Sequence, residues 1–257
     1  MILCDLHVHT NYSDGKNSPE EVVKSAIEKG MTCLGFSDHS YTFFDEVYCM
    51  TKADTENYYD EISALKEKYK DKIKILCGIE QDIFATEPTD RYDYVIGSVH
   101  YMKIEDEYVP VDETPQKLTD AADKYFGGDI YKLTEIYFDT VAQVIEKTDA
   151  DIIGHFDLIS KFNEGGKMFD ESDCRYVSAW KNAVDRLIPS GKPFEINTGA
   201  ISRGYRTDPY PSREMAEYIR DKGGKFILSS DSHSADTLCF VFDRAGSIAE
   251  EIEIINR

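Results

Sequence analysis

Two histidines one residue apart, His7 and His9, close the apolar run from Met1 to Leu6. On a strand the side chains alternate faces, so residues two apart point the same way. Two imidazoles on one side of a strand end can hold a metal ion, and histidine is the commonest metal ligand. Taken alone, the pair is equally well explained as two solvent-facing side chains. The remaining histidines decide the matter. His39 follows Cys33-Leu34-Gly35-Phe36-Ser37-Asp38, and His100 follows Tyr94-Val95-Ile96-Gly97-Ser98-Val99. His155 follows Asp151-Ile152-Ile153-Gly154, and His233 follows Phe226-Ile227-Leu228-Ser229-Ser230-Asp231-Ser232. All 6 histidines therefore stand at the ends of strand-like runs. That placement reads as one site assembled from many strand ends.

Three carboxylates join them by position. Asp14 lies in the loop after the first run, Glu80 closes the run from Ile73 to Ile79, and Asp231 stands two residues before His233. Acidic residues are usually solvated, which explains Glu80 and Asp231 poorly because both end apolar runs. The combined nitrogen and oxygen donors exceed what one transition metal takes. They suit two or three divalent ions sharing a carboxylate, and imidazole with carboxylate suits Zn, Mn or Fe alike. The 6 cysteines show no Cys-x-x-Cys spacing, and several lie inside apolar runs. They read as reduced core thiols of a cytosolic protein, neither a disulfide framework nor a zinc knuckle.

The elements that must position these residues alternate along the chain. Ser18-Pro19-Glu20-Glu21 opens a helix whose apolar stripe is Val22, Val23, Ala26 and Ile27, ended by Gly30. Further helices are expected over 54–69, 130–147, 171–188, 211–222 and from Asp243 onward. Strands are expected over 1–6, 32–37, 73–79, 94–99, 151–154, 194–197 and 225–230. Residues 41–52 form an aromatic loop, and 101–129 read as a polar, irregular insertion that could form a lid. Strand and helix alternate about seven times without repeat or linker, which predicts parallel strands joined by crossover helices. Convergence of six strand ends favours a closed or nearly closed α/β barrel over an open sheet, with the site on its C-terminal rim. The expected fold is a single domain over 1–257, a distorted (β/α)7 barrel of parallel strands with outer helices.

Composition narrows the function classes. The chain has 257 residues, 41% of them hydrophobic, and a formal charge of -20. Such acidity argues against a nucleic-acid backbone as partner, which needs clustered Lys and Arg. No run approaches the roughly 18 apolar residues of a membrane span. The first residues lack the basic and apolar regions of a signal peptide. A cytoplasmic enzyme is the expectation.

The His-x-His opening, Ser37-Asp38-His39, Gly78-Ile79-Glu80, Gly97-Ser98-Val99-His100, Gly154-His155 and Ser230-Asp231-Ser232-His233 occur in order along nearly the whole chain. In these motifs the sequence resembles the polymerase-and-histidinol-phosphatase (PHP) superfamily. Its length and the segment Glu195-Ile196-Asn197-Thr198-Gly199-Ala200-Ile201-Ser202-Arg203-Gly204 are most similar to the stand-alone histidinol-phosphate phosphatases of that family. The resemblance implies a distorted seven-stranded barrel with a trinuclear centre. Matched residue by residue, it gives one ion His7, His9, Glu80 and Asp231. A second ion shares Glu80 and takes His100 and His155. A third takes Asp14, His39 and His233.

The implied reaction is hydrolysis of a phosphate monoester, L-histidinol phosphate, in histidine biosynthesis. Divalent ions set against three carboxylates would leave the pocket locally positive and draw in a phosphate dianion. A hydroxide between two ions, available near neutral pH, would attack phosphorus in line. The catalytic candidates are Glu80, Asp231, His233 and Arg203. The resemblance also places phosphate-binding cations in the loops after strands five and six, here Lys161 and Arg203. Related enzymes often carry arginine at the position of Lys161. Tyr41, Phe43, Phe44, Tyr48 and Tyr101 could stack on an imidazole or a base. The alternatives are another PHP-type phosphatase or phosphodiesterase, and, outside enzymes, a metal-binding accessory domain.

Overall fold

The computed structural model describes residues 4–243. In it, a seven-stranded parallel sheet runs in chain order through β1 (Cys4–Asp5), β2 (Cys33–Phe36), β3 (Lys74–Asp82), β4 (Tyr94–Ser98), β7 (Ile152–Ile153), β8 (Phe194–Asn197) and β9 (Phe226–Ser229). Two further strands, β5 (Tyr101–Ile104) and β6 (Glu107–Pro110), pair with each other as an antiparallel hairpin. Every residue of β2 and of β4 is buried, as expected for strands covered on both faces. The sheet curls until its ends meet. Val8 bridges Ser232 in parallel, with His9 N–H donating to the Ser232 carbonyl at 2.8 Å and Ser232 N–H to the His7 carbonyl at 3.0 Å. Below that bridge the buried Asp5 carboxylate accepts from the Ser230 amide at 3.0 Å and from the Ser230 hydroxyl. The result is the nearly closed seven-stranded barrel expected from the sequence.

The helices are α1 (Pro19–Glu28), α2 (Lys52–Tyr69), α3 (Pro115–Phe126), α4 (Ile130–Val141), α5 (Val144–Thr148), α6 (Cys174–Leu187), α7 (Gly199–Ser202) and α8 (Arg213–Asp221). They cover the outside of the barrel through two large apolar clusters. A third, smaller cluster of Leu6, Cys33, Tyr94, Ile96, Ile152 and Ile227 fills the interior. Tyr94 crosses that interior. Its hydroxyl donates to the Leu6 carbonyl at 2.5 Å and the Phe36 carbonyl at 2.9 Å. Its ring lies against Gly35 and Gly78, where an added Cβ at Gly78 would sit 2.3 Å from the ring. Any larger residue at that strand position would collide with the side chain that plugs the barrel.

Three expectations need correction. Residues 101–129 are ordered as the β5–β6 hairpin and α3. Glu105, at φ 55, turns the hairpin, and Tyr101, Met102, Ile104 and Val109 are buried. Helix α3 has Thr114 as cap, accepting from Lys117 N–H at 3.3 Å, Pro115 in its first turn, and Leu118, Ala121 and Ala122 buried. The segment reads as irregular because only one narrow face of each element is apolar. The helix expected over 130–147 is interrupted at Ala142-Gln143, giving α4 and α5. There the Thr140 hydroxyl donates to the Ile136 carbonyl at 2.8 Å and the Gln143 side-chain Nε2 to the Asp139 carbonyl at 2.9 Å. Such local bonds compete with the helical ladder. Helix α6 starts at Cys174, later than Glu171, because Asp173 caps it, accepting from Arg175 N–H at 2.8 Å. The helix expected from Asp243 onward falls outside the described residues.

Candidate metal centre

Every candidate ligand except Asp14, which sits in the loop between β1 and α1, stands at or just beyond the C-terminal end of a strand of the closed sheet. His7 and His9 follow β1, His39 follows β2, His100 follows β4, His155 follows β7, and Asp231 and His233 follow β9. Glu80 lies near the end of β3, the longest strand, and His39 pairs with it as a parallel bridge. Parallel strands bring these ends to one rim, so residues far apart in sequence share one small volume.

Glu80 is at its centre. Its Oε2 lies 3.3 Å from His7 Nε2, 3.6 Å from His9 Nε2 and 2.8 Å from His39 Nδ1. Its Oε1 lies 2.9 Å from His155 Nε2 and 3.4 Å from His100 Nε2. Asp231 Oδ1 lies 3.2 Å from His9 Nε2, 3.5 Å from His233 Nδ1 and 3.8 Å from His7 Nε2. Asp14 sits at the outer edge, with His233 Nε2 at 3.1 Å, His39 Nε2 at 3.6 Å and His9 Nδ1 at 3.8 Å. Three overlapping sets could hold ions: His9, Asp14, His39 and His233; His7, His9 and Glu80; and His39, Glu80 and His100. The sets share His9, His39 and Glu80, so the donors form one continuous cluster.

The donor chemistry fits bound cations. His7 Nε2, both nitrogens of His9 and Glu80 Oε2 are buried and make no hydrogen bond. His39 Nδ1 comes within 2.8 Å of Glu80 Oε2, yet that oxygen has no partner in hydrogen-bond geometry. Buried polar atoms without partners are costly, and a divalent ion facing several such atoms removes the cost. Asp231 adopts φ 49, a left-handed conformation that non-glycine residues rarely take. Such backbone strain clusters at functional sites.

The electrostatics agree. Burial opposes ionisation of Glu80, but His7, His39 and His100 outweigh it and hold the carboxyl well below the usual range. Burial likewise opposes ionisation of Asp231, and Arg203 and His7 overcome it, holding this carboxyl far down as well. His9 is pushed down to about 3 by burial, with His233 and His39 adding like charge. A neutral imidazole is the form that ligates a metal. Burial favours that form at His7, His39 and His100 too, but Glu80 and neighbouring carboxylates outweigh it and hold these three above the usual imidazole range.

Arg203 follows α7 and reaches into the same cluster. Its Nη2 lies 2.9 Å from Asp231 Oδ2, while its Nη1 lies 3.0 Å from the Asp231 carbonyl and 2.9 Å from His233 Nδ1. Lys161, 9% exposed, turns instead to Asp112, with its Nζ 2.8 Å from the carbonyl oxygen and 3.0 Å from Oδ2. Both cations line a cavity of about 540 Å³ that opens onto Asp14, His39, Glu80, His100, His155, Asp231 and His233. Of the five aromatic candidates, Tyr48 and Tyr101 line it, as does Tyr205, while Phe44 is stacked on Tyr108 at 3.8 Å and the Tyr41 hydroxyl is bonded to Glu46. Phe43 is exposed and packs edge-on against Phe44. A larger groove of about 1030 Å³ lies against α4 and α5 and contains none of the ligand cluster.

Sequence reasoning gave no role to the carboxylates behind the ligands. Glu195, fully buried on β8, has Oε1 2.5 Å from His7 Nδ1 and accepts from the His155 amide at 2.8 Å through Oε2. Asp82 stands 3.4 Å from His100 Nδ1 and accepts from the His100 amide at 3.1 Å. Buried Asp38 holds the loop that carries Asp14, accepting from Thr10 N–H at 2.8 Å and the Ser13 hydroxyl at 2.6 Å. Partners of this kind fix the ring orientation and tautomer of ligating histidines. An acid inside the expected strand Phe194–Asn197, between Phe194 and Ile196, was the available signal for Glu195.

Comparison with known proteins points the same way. The PHP domain model matches residues 5–199. A "Probable histidinol-phosphatase" of Schizosaccharomyces pombe is 28% identical over 234 residues, covering 83% of this chain and 74% of that protein. A "Histidinol-phosphatase" of Bacillus subtilis is 26% identical over 269 residues, covering 93% and 96%. Among solved structures, histidinol phosphate phosphatase from Lactococcus lactis, complexed with Zn, L-histidinol and phosphate, superposes with a TM-score of 0.75. That match has 22% identity and covers 98% of this chain and 94% of that one.

Proposed function

The chain belongs to the PHP domain family, and from that premise we propose that it is a metal-dependent histidinol-phosphatase. It hydrolyses L-histidinol phosphate to L-histidinol and phosphate, a step of histidine biosynthesis. The observation that carries this reading is the Glu80 carboxylate ringed by the buried imidazoles of His7, His9, His39, His100 and His155. The names of relatives matched over most of their length support the substrate.

We assign two to three divalent ions, Zn, Mn or Fe, to the cluster. His7, His9, Glu80 and Asp231 would hold one, Glu80, His100 and His155 a second, and Asp14, His39 and His233 a third. The overlap of the donor sets supports a compact centre with Glu80 shared. When bound, such ions supply Lewis acidity toward phosphoryl oxygens and bring the pKa of water near 7.

The chain's own residues do the rest. Asp231 and His233 orient the Arg203 guanidinium, whose planar fork matches two phosphate oxygens. Lys161 adds a compact charge, shared with Asp112. Glu195 keeps His7 in one orientation through Nδ1, which leaves Nε2 facing the cluster. Among the described residues the cavity lining contains no Ser, Thr or Cys, which supports direct hydrolysis without a serine, threonine or cysteine nucleophile. The reading takes the chain as one PHP-type domain acting in the cytoplasm on a small phosphate ester. Among the described residues no helix is long and apolar enough to cross a membrane.

The test is elemental analysis together with turnover on a panel of phosphate monoesters and small nucleotides, before and after chelation. The expected result is two to three transition-metal ions per chain, fastest turnover on L-histidinol phosphate, and loss of both on chelation. Protein with no stoichiometric transition metal, or with turnover only on other esters, refutes the assignment. Metal binding without turnover on any ester would mark an accessory domain.

A further inference from the structure

Lys161 and Arg203 both line the cavity, but they stand on different crossovers, after β7 and after β8. The sheet does little to fix their separation, because β7 and β8 share the single register pair Ile153↔Phe194. The loops are joined instead by Arg206, which lies outside the cavity lining and is only 8% exposed. Its Nη1 donates to the carbonyl of Ser160, the residue before Lys161, at 3.0 Å, and also to the Ser160 hydroxyl. Its own amide donates to the Ala200 carbonyl at 3.3 Å, on the short helix that leads into Arg203. The guanidinium is carried over the Tyr210 ring at 5.3 Å. Fully buried Asp157 holds the same Ser160 hydroxyl from the other side at 3.3 Å.

Lesser ties follow the same line. The Thr207 hydroxyl donates to Glu164 at 2.6 Å, the Tyr205 ring meets Phe162 at 5.6 Å, and Lys161 Nζ lies 4.9 Å from the Tyr205 ring. Removing a guanidinium from water is expensive, and a buried one that lines no cavity needs a structural return. Here the return is a fixed distance between two loops.

We propose that Arg206 is a positioning residue of the phosphate subsite, clamping the Lys161 loop to the Arg203 turn so that both cations address one phosphate. The proposal rests on the phosphatase reading only for the phosphate, and not for which ester carries it. Small displacements of binding groups cost one to two orders of magnitude where geometry is tight.

The experiment uses the metal-loaded full chain and the variants Arg206→Gln, Lys161→Ala and the double variant. Inorganic phosphate affinity is measured by calorimetry, alongside KM, kcat, metal content and Tm. Arg206→Gln should weaken phosphate and raise KM by roughly tenfold, with kcat changed less and metals intact. In the Lys161→Ala background it should add less than about twofold, because it acts through that loop. Arg206→Lys, which keeps the buried charge but loses the fork, should recover only part, and it carries the comparison if Arg206→Gln does not fold. Unchanged phosphate affinity and KM in folded, less stable Arg206 variants would reduce the residue to a structural role and overturn the proposal. Effects of Arg206→Gln and Lys161→Ala that multiply in full would also overturn it. Coupled losses of phosphate affinity in a protein that leaves L-histidinol phosphate intact would sustain the clamp and refute the substrate instead.

Discussion

Glu80→Gln is the substitution on which the proposed centre depends most. It keeps the side-chain volume and removes one negative charge from the middle of five imidazoles. Oε2 faces His7, His9 and His39, while Oε1 faces His100 and His155, so each oxygen serves a different side of the cluster. The change therefore removes at least one charged contact on each side. At about 1.5–3 kcal/mol per contact to a charged group, the loss is about 3–6 kcal/mol. That corresponds to roughly a hundredfold to ten-thousandfold in kcat/KM. His100 faces Glu80 through one nitrogen at 3.4 Å, so His100→Ala should cost about half as much free energy. The measurement is kcat/KM on L-histidinol phosphate with metal content determined on the same sample. Turnover and metal content should fall together in Glu80→Gln, and further than in any single histidine variant. Near-normal values of both would show that Glu80 does not bridge, and the assignment of shared ligands would be wrong.

Arg203→Ala should lower kcat/KM by roughly tenfold to a thousandfold, the scale of one lost charged contact of about 1.5–4 kcal/mol, with metals retained. Arg203→Lys should recover little, and a fully active, metal-replete Arg203→Ala enzyme would remove the residue from the site. Lys161→Ala should do less harm than Arg203→Ala, because Asp112 already shares the Lys161 charge; steady-state kinetics on the two variants compares them. Gly78→Ala should destabilise the fold by about 1–3 kcal/mol in chemical denaturation, since its Cβ would meet the Tyr94 ring, and pairing it with Tyr94→Leu should recover part. All six Cys→Ala variants that fold should keep metals and turnover; loss of turnover alone in one of them would assign that thiol to catalysis.

The barrel and the gathering of the candidate ligands were legible because both leave marks at strand ends. Short apolar runs specify buried parallel strands, and a histidine after five of the seven runs survives as a pattern even in one sequence. The hairpin and α3 were not legible as ordered structure, since each buries one narrow face and exposes a polar one. Their start and stop signals, Thr114-Pro115 and Gly127-Gly128, were present but outweighed by the surrounding charge. Glu195, Asp82 and Arg206 were hidden for a different reason. An acid or an arginine in sequence looks solvated by default, and only tertiary contact reveals it bonded to His7, His100 or Ser160. Lys161 was expected as a phosphate-binding cation, and its pairing with Asp112 depends on the hairpin that sequence patterning missed.

The meeting of β1 and β9 has a consequence for how the molecule comes into being. Val8 pairs with Ser232, so the first strand waits for almost the last part of the described chain before its free edge is closed. At about 5–20 residues per second of synthesis, that wait is on the order of ten seconds or more. Exposed strand edges recruit neighbouring chains, and shortness is one defence against this. Among the described residues, β1 spans only Cys4–Asp5. His39, Glu80 and His100 can gather on the nascent chain, whereas His7 and His9 gain Asp231 only when the seam shuts. The clasp of the ring thus carries Asp231 and His233, and a ribosome stalled before β9 would leave the seam open and that side of the cluster unmade.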